Sequence, residues 1–146
     1  MELKGKKLAI LGVGNKLKGD DGIGSAIAEE VASGENKLVI DCEEAPEAYT
    51  KRVVEFKPEA VVIVDAIDFK ATPGDYFLAR VDENLQQYTP LSTHKIPLKV
   101  LAGIFEEAGA EVYLLGVQPK NVSFGEEMSE ELVKAKDSLV QLISSL

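Results

Sequence analysis

The chain of 146 residues carries 25 acidic against 16 basic side chains, for a net charge of −9, and 45% of it is hydrophobic. A length of this order holds about one domain built on a single core. The acidic balance argues against a nucleic-acid ligand, because phosphate binding rests on clustered Lys and Arg. The one cysteine, Cys42, excludes an intramolecular disulfide and fits a reducing compartment.

Basic residues precede the first apolar run, but that run is short, interrupted by glycine and followed at once by charges. It reads as a strand and not as a signal peptide. No stretch approaches the roughly 18 apolar residues that a membrane-spanning helix needs. A cytoplasmic protein without membrane contact is the expectation.

Short apolar runs alternate with amphipathic segments, the βαβ pattern of a parallel sheet covered by helices on both faces. Residues 7–12 (KLAILG) read as a first strand, continuous in apolar residues as buried parallel strands are. A helix is expected over residues 22–32, where Ile23, Ile27 and Val31 share a face and Ser33 and Gly34 end it. Residues 38–41 (LVID) give the second strand. Pro46 suits the first turn of the next helix, with Tyr49, Val53 and Phe56 as its buried stripe and Pro58 as its stop. Residues 60–65 (AVVIVD) make the third and most apolar strand, which predicts a central position. Pro73 and Gly74 mark a turn, and residues 76–81 read as a strand near an edge.

Residues 82–95 (DENLQQYTPLSTHK) show no periodicity, and loops of that length inside compact domains are more often functional than idle. Pro97 opens a helix with Leu98, Leu101 and Phe105 on one face, closed by Gly109. Residues 112–116 (VYLLG) form the last strand. Ser129 caps a terminal helix carrying Leu132, Ala135, Leu139 and Leu142 at helical spacing. One domain over residues 1–146 is expected, without repeats or linkers.

The run GVGNKLKGDDGIG at residues 12–24 holds the densest glycines, which let a backbone turn sharply and approach a ligand closely. A Rossmann phosphate loop is the first reading to test. The spacing is not GxGxxG, and Asp20 and Asp21 stand where a pyrophosphate would meet the helix N-terminus. Their charge would repel it. No Walker loop occurs either. What remains is a glycine-framed pair of acids at a helix start. Both could be N-caps, but one cap needs one aspartate, and the second is then free to face a crevice.

Asp65 closes an apolar run where an unpaired carboxylate is costly if buried. Doubly wound sheets bind ligands beyond the carboxyl ends of their strands, at the switch in strand order. In the common order 2-1-3-4-5 that switch lies between the first and third strands, so Asp21 and Asp65 converge on it. Asp41 ends the second strand and either rims the same site or forms a turn. His94, the only histidine, sits in the unpatterned loop just before a helix. Loops of that kind open at the same edge. Two carboxylates and one imidazole suit a divalent ion with open coordination positions. A lone histidine also excludes HExxH and every multi-histidine zinc site. No GxSxG nucleophile elbow is present, and Cys42 reads as a small filler at a strand end.

At these residues the chain resembles the endopeptidases that mature nickel–iron hydrogenases, in the branch that acts on formate-hydrogenlyase-type enzymes. GVGNKLKGDDGIG matches that family's opening glycine-asparagine-acid motif, IVDAIDF its second acidic motif and STHKIPL its histidine motif. LLGVQPKNVSFG near the C-terminus is similar to the same branch, and the match is collinear over nearly the whole chain. The resemblance implies a three-layer α/β/α fold with a mostly parallel, twisted five-stranded sheet between helices. It implies an aspartyl-type hydrolase that cuts the large-subunit precursor once, releasing a C-terminal extension after nickel insertion. The nickel would belong to the precursor, so no tightly bound metal is expected in the isolated protein, nor any nucleotide. Asp21, Asp65 and His94 match the family's nickel ligands, with Asp21 and Asp65 as the catalytic acids. Gly14, Asn15, Asp41 and Thr93 match positions that would contact the substrate.

One segment departs from the family. Asp41 is followed by Cys42, Glu43 and Glu44, where the family has a pair of small residues, while Ala45, Pro46 and Glu47 fit. Two extra carboxylates would select a more basic substrate tail or a different target. Two rival classes follow from the same residues: a nickel-binding or delivery module without hydrolytic activity, and a small hydrolase or nucleotide-binding domain of flavodoxin-like shape.

Overall fold

The computed structural model describes residues 3–82 and 97–146. Along the chain run β1 (Leu8–Val13), α1 (Ile23–Glu30), β2 (Lys37–Glu43), α2 (Thr50–Phe56), β3 (Ala60–Ala66), β4 (Tyr76–Arg80), α3 (Leu98–Glu107), β5 (Glu111–Val117) and α4 (Glu130–Ser144). The strands form one sheet in the order β2-β1-β3-β5-β4. β1 is parallel to β2 and β3, β3 is parallel to β5, and β4 alone runs antiparallel, against β5.

Residue type accounts for these positions. All of β1 is buried, and so is β3 up to its last residue, because helices cover both faces of the sheet there. β3 is central, as its run of apolar residues predicts. The last two strands depart from the serial order 2-1-3-4-5, since β5 lies between β3 and β4. The reason is in their patterns. β5 is buried almost throughout, whereas β4 alternates exposed Tyr76, Leu78 and Arg80 with half-buried Phe77 and Ala79. One buried face and one wet face suit an antiparallel edge.

Two cores result, one on each face of the sheet. Ala9, Leu11, Val61, Ile63, Val112 and Leu114 pack beneath Val53 of α2 and Leu101, Ala102 and Phe105 of α3. Leu8, Ile10, Val62 and Leu115 pack beneath Ile23 and Ile27 of α1 and Leu132, Leu139 and Ile143 of α4. Each such valine, leucine, isoleucine or phenylalanine contributes about 1.5–3 kcal/mol through burial.

Helix boundaries differ from expectation by a turn at some ends. A 3-10 turn (Gly19–Gly22) precedes α1, and another (Pro46–Tyr49) precedes α2. The residues facing the core here are Val53 and Val54 of α2, with Tyr49 in the turn before it. Phe56 lies aside, with the Lys7 ammonium 4.5 Å above its ring. The helix ends as Lys57 turns left-handed at φ 56° ahead of Pro58. Ser129 caps α4 as expected, its hydroxyl accepting from the Leu132 N–H at 3.4 Å. At the far end Lys37 Nζ donates to the carbonyls of Ile143 (2.7 Å) and Ser144 (3.2 Å), where the helix dipole favours a cation.

The glycines of residues 12–24 set how α1 meets the sheet. A Cβ on Gly12 would sit 2.7 Å from the Ala28 Cβ, and one on Gly24 would sit 2.7 Å from the Val13 nitrogen and overlap the Val13 and Val64 carbonyl oxygens. The helix therefore rides on β1 and β3 at backbone contact. Substituting Gly24→Ala should destabilise the fold by about 1–3 kcal/mol or more. Gly103→Ala, on a helix surface with open space around it, should stabilise by about 0.5–1 kcal/mol. Urea unfolding of both variants checks the contrast.

Candidate functional site

The carboxyl ends of β1 and β3 lie side by side, and the 3-10 turn that carries Asp20 and Asp21 packs against β3. Neither aspartate caps α1. Its N-cap position is Gly22, with no side-chain hydrogen bond. The two acids have separate tasks.

Asp20 is fully buried. Its Oδ2 accepts from the Lys120 N–H (2.8 Å), the Asn121 N–H (3.1 Å) and the Ser129 hydroxyl (2.9 Å), and its Oδ1 accepts from the Ser129 N–H (2.7 Å). A buried carboxylate is tolerable when its lone pairs are taken up by donors in this way. Asp20 thus binds the segment between β5 and α4 to the loop after β1. Ser129 relays the contact, donating to Asp20 while accepting from the first turn of α4.

Asp21 is half-buried. Its Oδ2 accepts from the Asn15 N–H at 3.1 Å, and among the described residues its carboxylate has no other hydrogen-bond partner. Asn15 in turn folds the loop, its Oδ1 accepting from the Leu17 N–H at 2.9 Å. Gly14 is held on both sides: its N–H donates to the Glu43 carbonyl (2.7 Å), and its own carbonyl accepts from the buried Ser25 hydroxyl (3.2 Å). A Cβ there would overlap the Asp21 carbonyl oxygen. Gly14 therefore lets the end of β1 pass directly against the backbone of Asp21.

Asp65 is buried near the end of β3, in register with Gly116 of β5, and its Oδ1 accepts from the Ala66 N–H at 2.9 Å. Along β3 it shares the alternation of Val61 and Ile63, the face covered by α2 and α3. Asp41 stands in register with Gly12 and shares the alternation of Val39, the face covered by α1. Its Oδ1 accepts from the Glu43 N–H at 3.1 Å, closing a turn in which Glu43 takes φ 52°. Asp21 follows β1 and Asp65 lies near the end of β3, at the same end of the sheet. Thr93 and His94 lie outside the described residues. Among the described residues no group of three or more His, Cys, Asp or Glu is placed to hold a metal ion.

The site also uses Gln118, which its sequence context alone does not mark. Its buried side chain accepts through Oε1 from the N–H groups of Phe69 (2.9 Å) and Ala71 (3.1 Å), and Nε2 donates to Asp68 Oδ1 and the Pro119 carbonyl, each at 3.2 Å. The loop following Asp65 is thereby fixed to the end of β5. The Lys70 N–H, followed by the Gln118 amide, holds the Asp68 carboxyl below its usual range. The only signal for Gln118 in the sequence is its place after an apolar strand, beside Pro119.

Cys42 is buried in the core beneath α2 and is not a nucleophile. Burial first, then the charges of Asp41 and Glu47, push its thiol up to about 12. The unfolded thiol titrates near 9, so above that pH the unfolded chain sheds a proton that the folded chain keeps. The stabilising contribution is full below pH 9 and is lost as pH rises toward 12. In native protein at pH 8 Cys42 should resist a disulfide-exchange reagent that labels it at once in denaturant. Rapid native labelling, read by absorbance, would contradict the burial. Asp20→Ala, which strands buried donors, should cost about 3 kcal/mol or more in a urea titration.

Comparison with known proteins agrees with this geometry. Residues 22–146 match the family model described as hydrogenase maturation protease. The chain is 34% identical over 134 residues to the Hydrogenase 3 maturation protease of Escherichia coli strain K12, covering 90% of this chain and 85% of that protein. It superposes on the crystal structure of a NiFe hydrogenase maturation protease HycI from Thermococcus kodakarensis KOD1 with a TM-score of 0.85, at 34% identity, covering 97% of this chain and 93% of the other. The solution structure of an endopeptidase HycI from Escherichia coli gives a TM-score of 0.81 at 32% identity, over 94% and 89% of the two chains. A match over most of the length in sequence and fold places this chain in the hydrogenase maturation protease family, among the peptidases.

Proposed function

We propose that this chain is the endopeptidase that removes the C-terminal extension from the large-subunit precursor of a nickel–iron hydrogenase, once nickel has been inserted, and that it recognises the precursor through that nickel. The observation that supports this reading most is the half-buried Asp21 carboxylate, which follows β1 at the end of the sheet where β3 also ends and takes a single hydrogen bond among the described residues. Family membership supplies the substrate class.

The nickel belongs to the substrate. Asp21, Asp65 and His94 would receive it, and carboxylate oxygens with an imidazole nitrogen suit a divalent ion that keeps its other ligands on the precursor. Held there, the scissile segment lies over the crevice, and positioning supplies much of the rate. A carboxylate of the pair takes a proton from the attacking water, the role that general bases fill in peptide hydrolysis. The chain needs no resident metal in this scheme, and Cys42 takes no part.

The test is intact mass of the precursor after incubation with the protein, using nickel-loaded and nickel-free forms. The nickel-loaded form alone should lose one C-terminal fragment. Asp21→Asn and Asp65→Asn keep the side-chain shape and remove the charge, and each should slow cleavage by about 10²–10⁴-fold with folding unchanged by circular dichroism. Full processing by either variant would remove that acid from the mechanism. Equal cleavage of nickel-free precursor would remove the metal from recognition.

A further inference from the structure

Beside Asp20 two loops are laced together. The Gly125 N–H donates to the Leu17 carbonyl (2.7 Å), the Gly19 N–H to the Glu126 carbonyl (3.1 Å) and the Asp20 N–H to the Asn121 carbonyl (2.8 Å). Within the later loop the Ser123 N–H donates to Asn121 Oδ1 at 2.8 Å. Gly19 and Gly125 take φ 55° and 86°, left-handed values that suit glycine. Buried Asp20 anchors the frame from below.

This frame turns apolar side chains outward. Phe124 is 74% exposed, Leu17 64% and Val122 42%, and Phe124 and Leu17 are the two most exposed large hydrophobic residues among those described. An ordinary loop puts polar groups there, and apolar side chains gathered at one edge mark an interaction surface. The backbone carrying them is hydrogen-bonded on both sides, so little order is lost when a partner covers it.

The occupant follows from position. Leu17 lies in the same loop as Asp21, and Asp21 itself donates its N–H to the Lys18 carbonyl at 3.1 Å. A protein substrate that brings its scissile segment to Asp21 must therefore meet this surface. We propose that Leu17, Val122 and Phe124 form an apolar docking ridge that seats the folded body of the precursor beside Asp21. The ridge rests on the endopeptidase reading for the identity of its partner, and it assigns to these three residues recognition of an apolar patch, apart from recognition of the metal.

The test compares wild-type protein, Leu17→Ser with Phe124→Ser, and a control, Val133→Ser, on an exposed site of α4. The probe is nickel-loaded large-subunit precursor from the same source as the chain, with binding followed by titration and cleavage by intact mass. The double variant should raise KM and Kd by about tenfold or more, with kcat near wild type, because it removes an aromatic anchor and leaves the acids in place. Its melting temperature should match wild type, and Val133→Ser should change none of these. Unchanged KM and Kd in an active double variant would overturn the ridge and leave the endopeptidase reading intact. Wild-type binding without cleavage, lost in the double variant, would uphold the ridge and sink the endopeptidase reading. A change in oligomeric state with no change in KM would assign the surface to a second copy of this chain and overturn the proposal. Absence of both binding and cleavage by wild type would overturn both.

Discussion

Because Gly12 and Gly24 carry no side chains, α1 lies directly on the backbone of β1 and β3 where the sheet ends. Much of the molecule follows from that contact. A helix held farther out would lift the turn Gly19–Gly22, which carries Asp21, off β3. It would also open the space through which Gly14 reaches the Asp21 carbonyl. The glycine-rich segment of the first βα connection is where related doubly wound folds admit a phosphate. Here the same freedom is spent on helix–sheet contact, and the loop offers a carboxylate in place of backbone donors.

The neighbouring acids show how environment divides like residues. Asp20 points into the protein and is saturated by donors from a segment about a hundred positions later. Asp21, the next residue, accepts from one loop amide and keeps capacity for something else. A buried carboxylate whose oxygens are taken up by donors serves the fold. Gln118 does for the loop after β3 what Asp20 does for the loop after β1. Both loops, after β1 and after β3, are thus braced by residues that follow β5.

Much of the fold was legible because local pattern and burial coincide. KLAILG and AVVIVD are continuous apolar runs since both faces of β1 and β3 are covered, and Ser129 announced α4 through its hydroxyl. The order of the last two strands was not legible, since which strand neighbours β3 depends on pairing across more than forty residues and not on local residue type. The switch in strand order beside β1 could be read from the sequence, because βαβ connectivity sets β2 and β3 on opposite sides of β1. The burial of Asp20 could not, because its partners are backbone amides, which carry no residue signature. Asp41 illustrates the remaining limit: its strand-end position was clear, but its face depends on register, which sets it on the α1 side.

The bonds from Asp20 to residues 120–129 have a consequence for biosynthesis. The loop that carries Asp20 and Asp21 is held in place by a segment about a hundred positions later. A nascent chain still lacking α4 has the strand and the aspartates without the brace that orients them. The loop after β1 therefore takes its final form only once residues 120–129 have docked on it, and contacts so distant in sequence form more slowly than local ones.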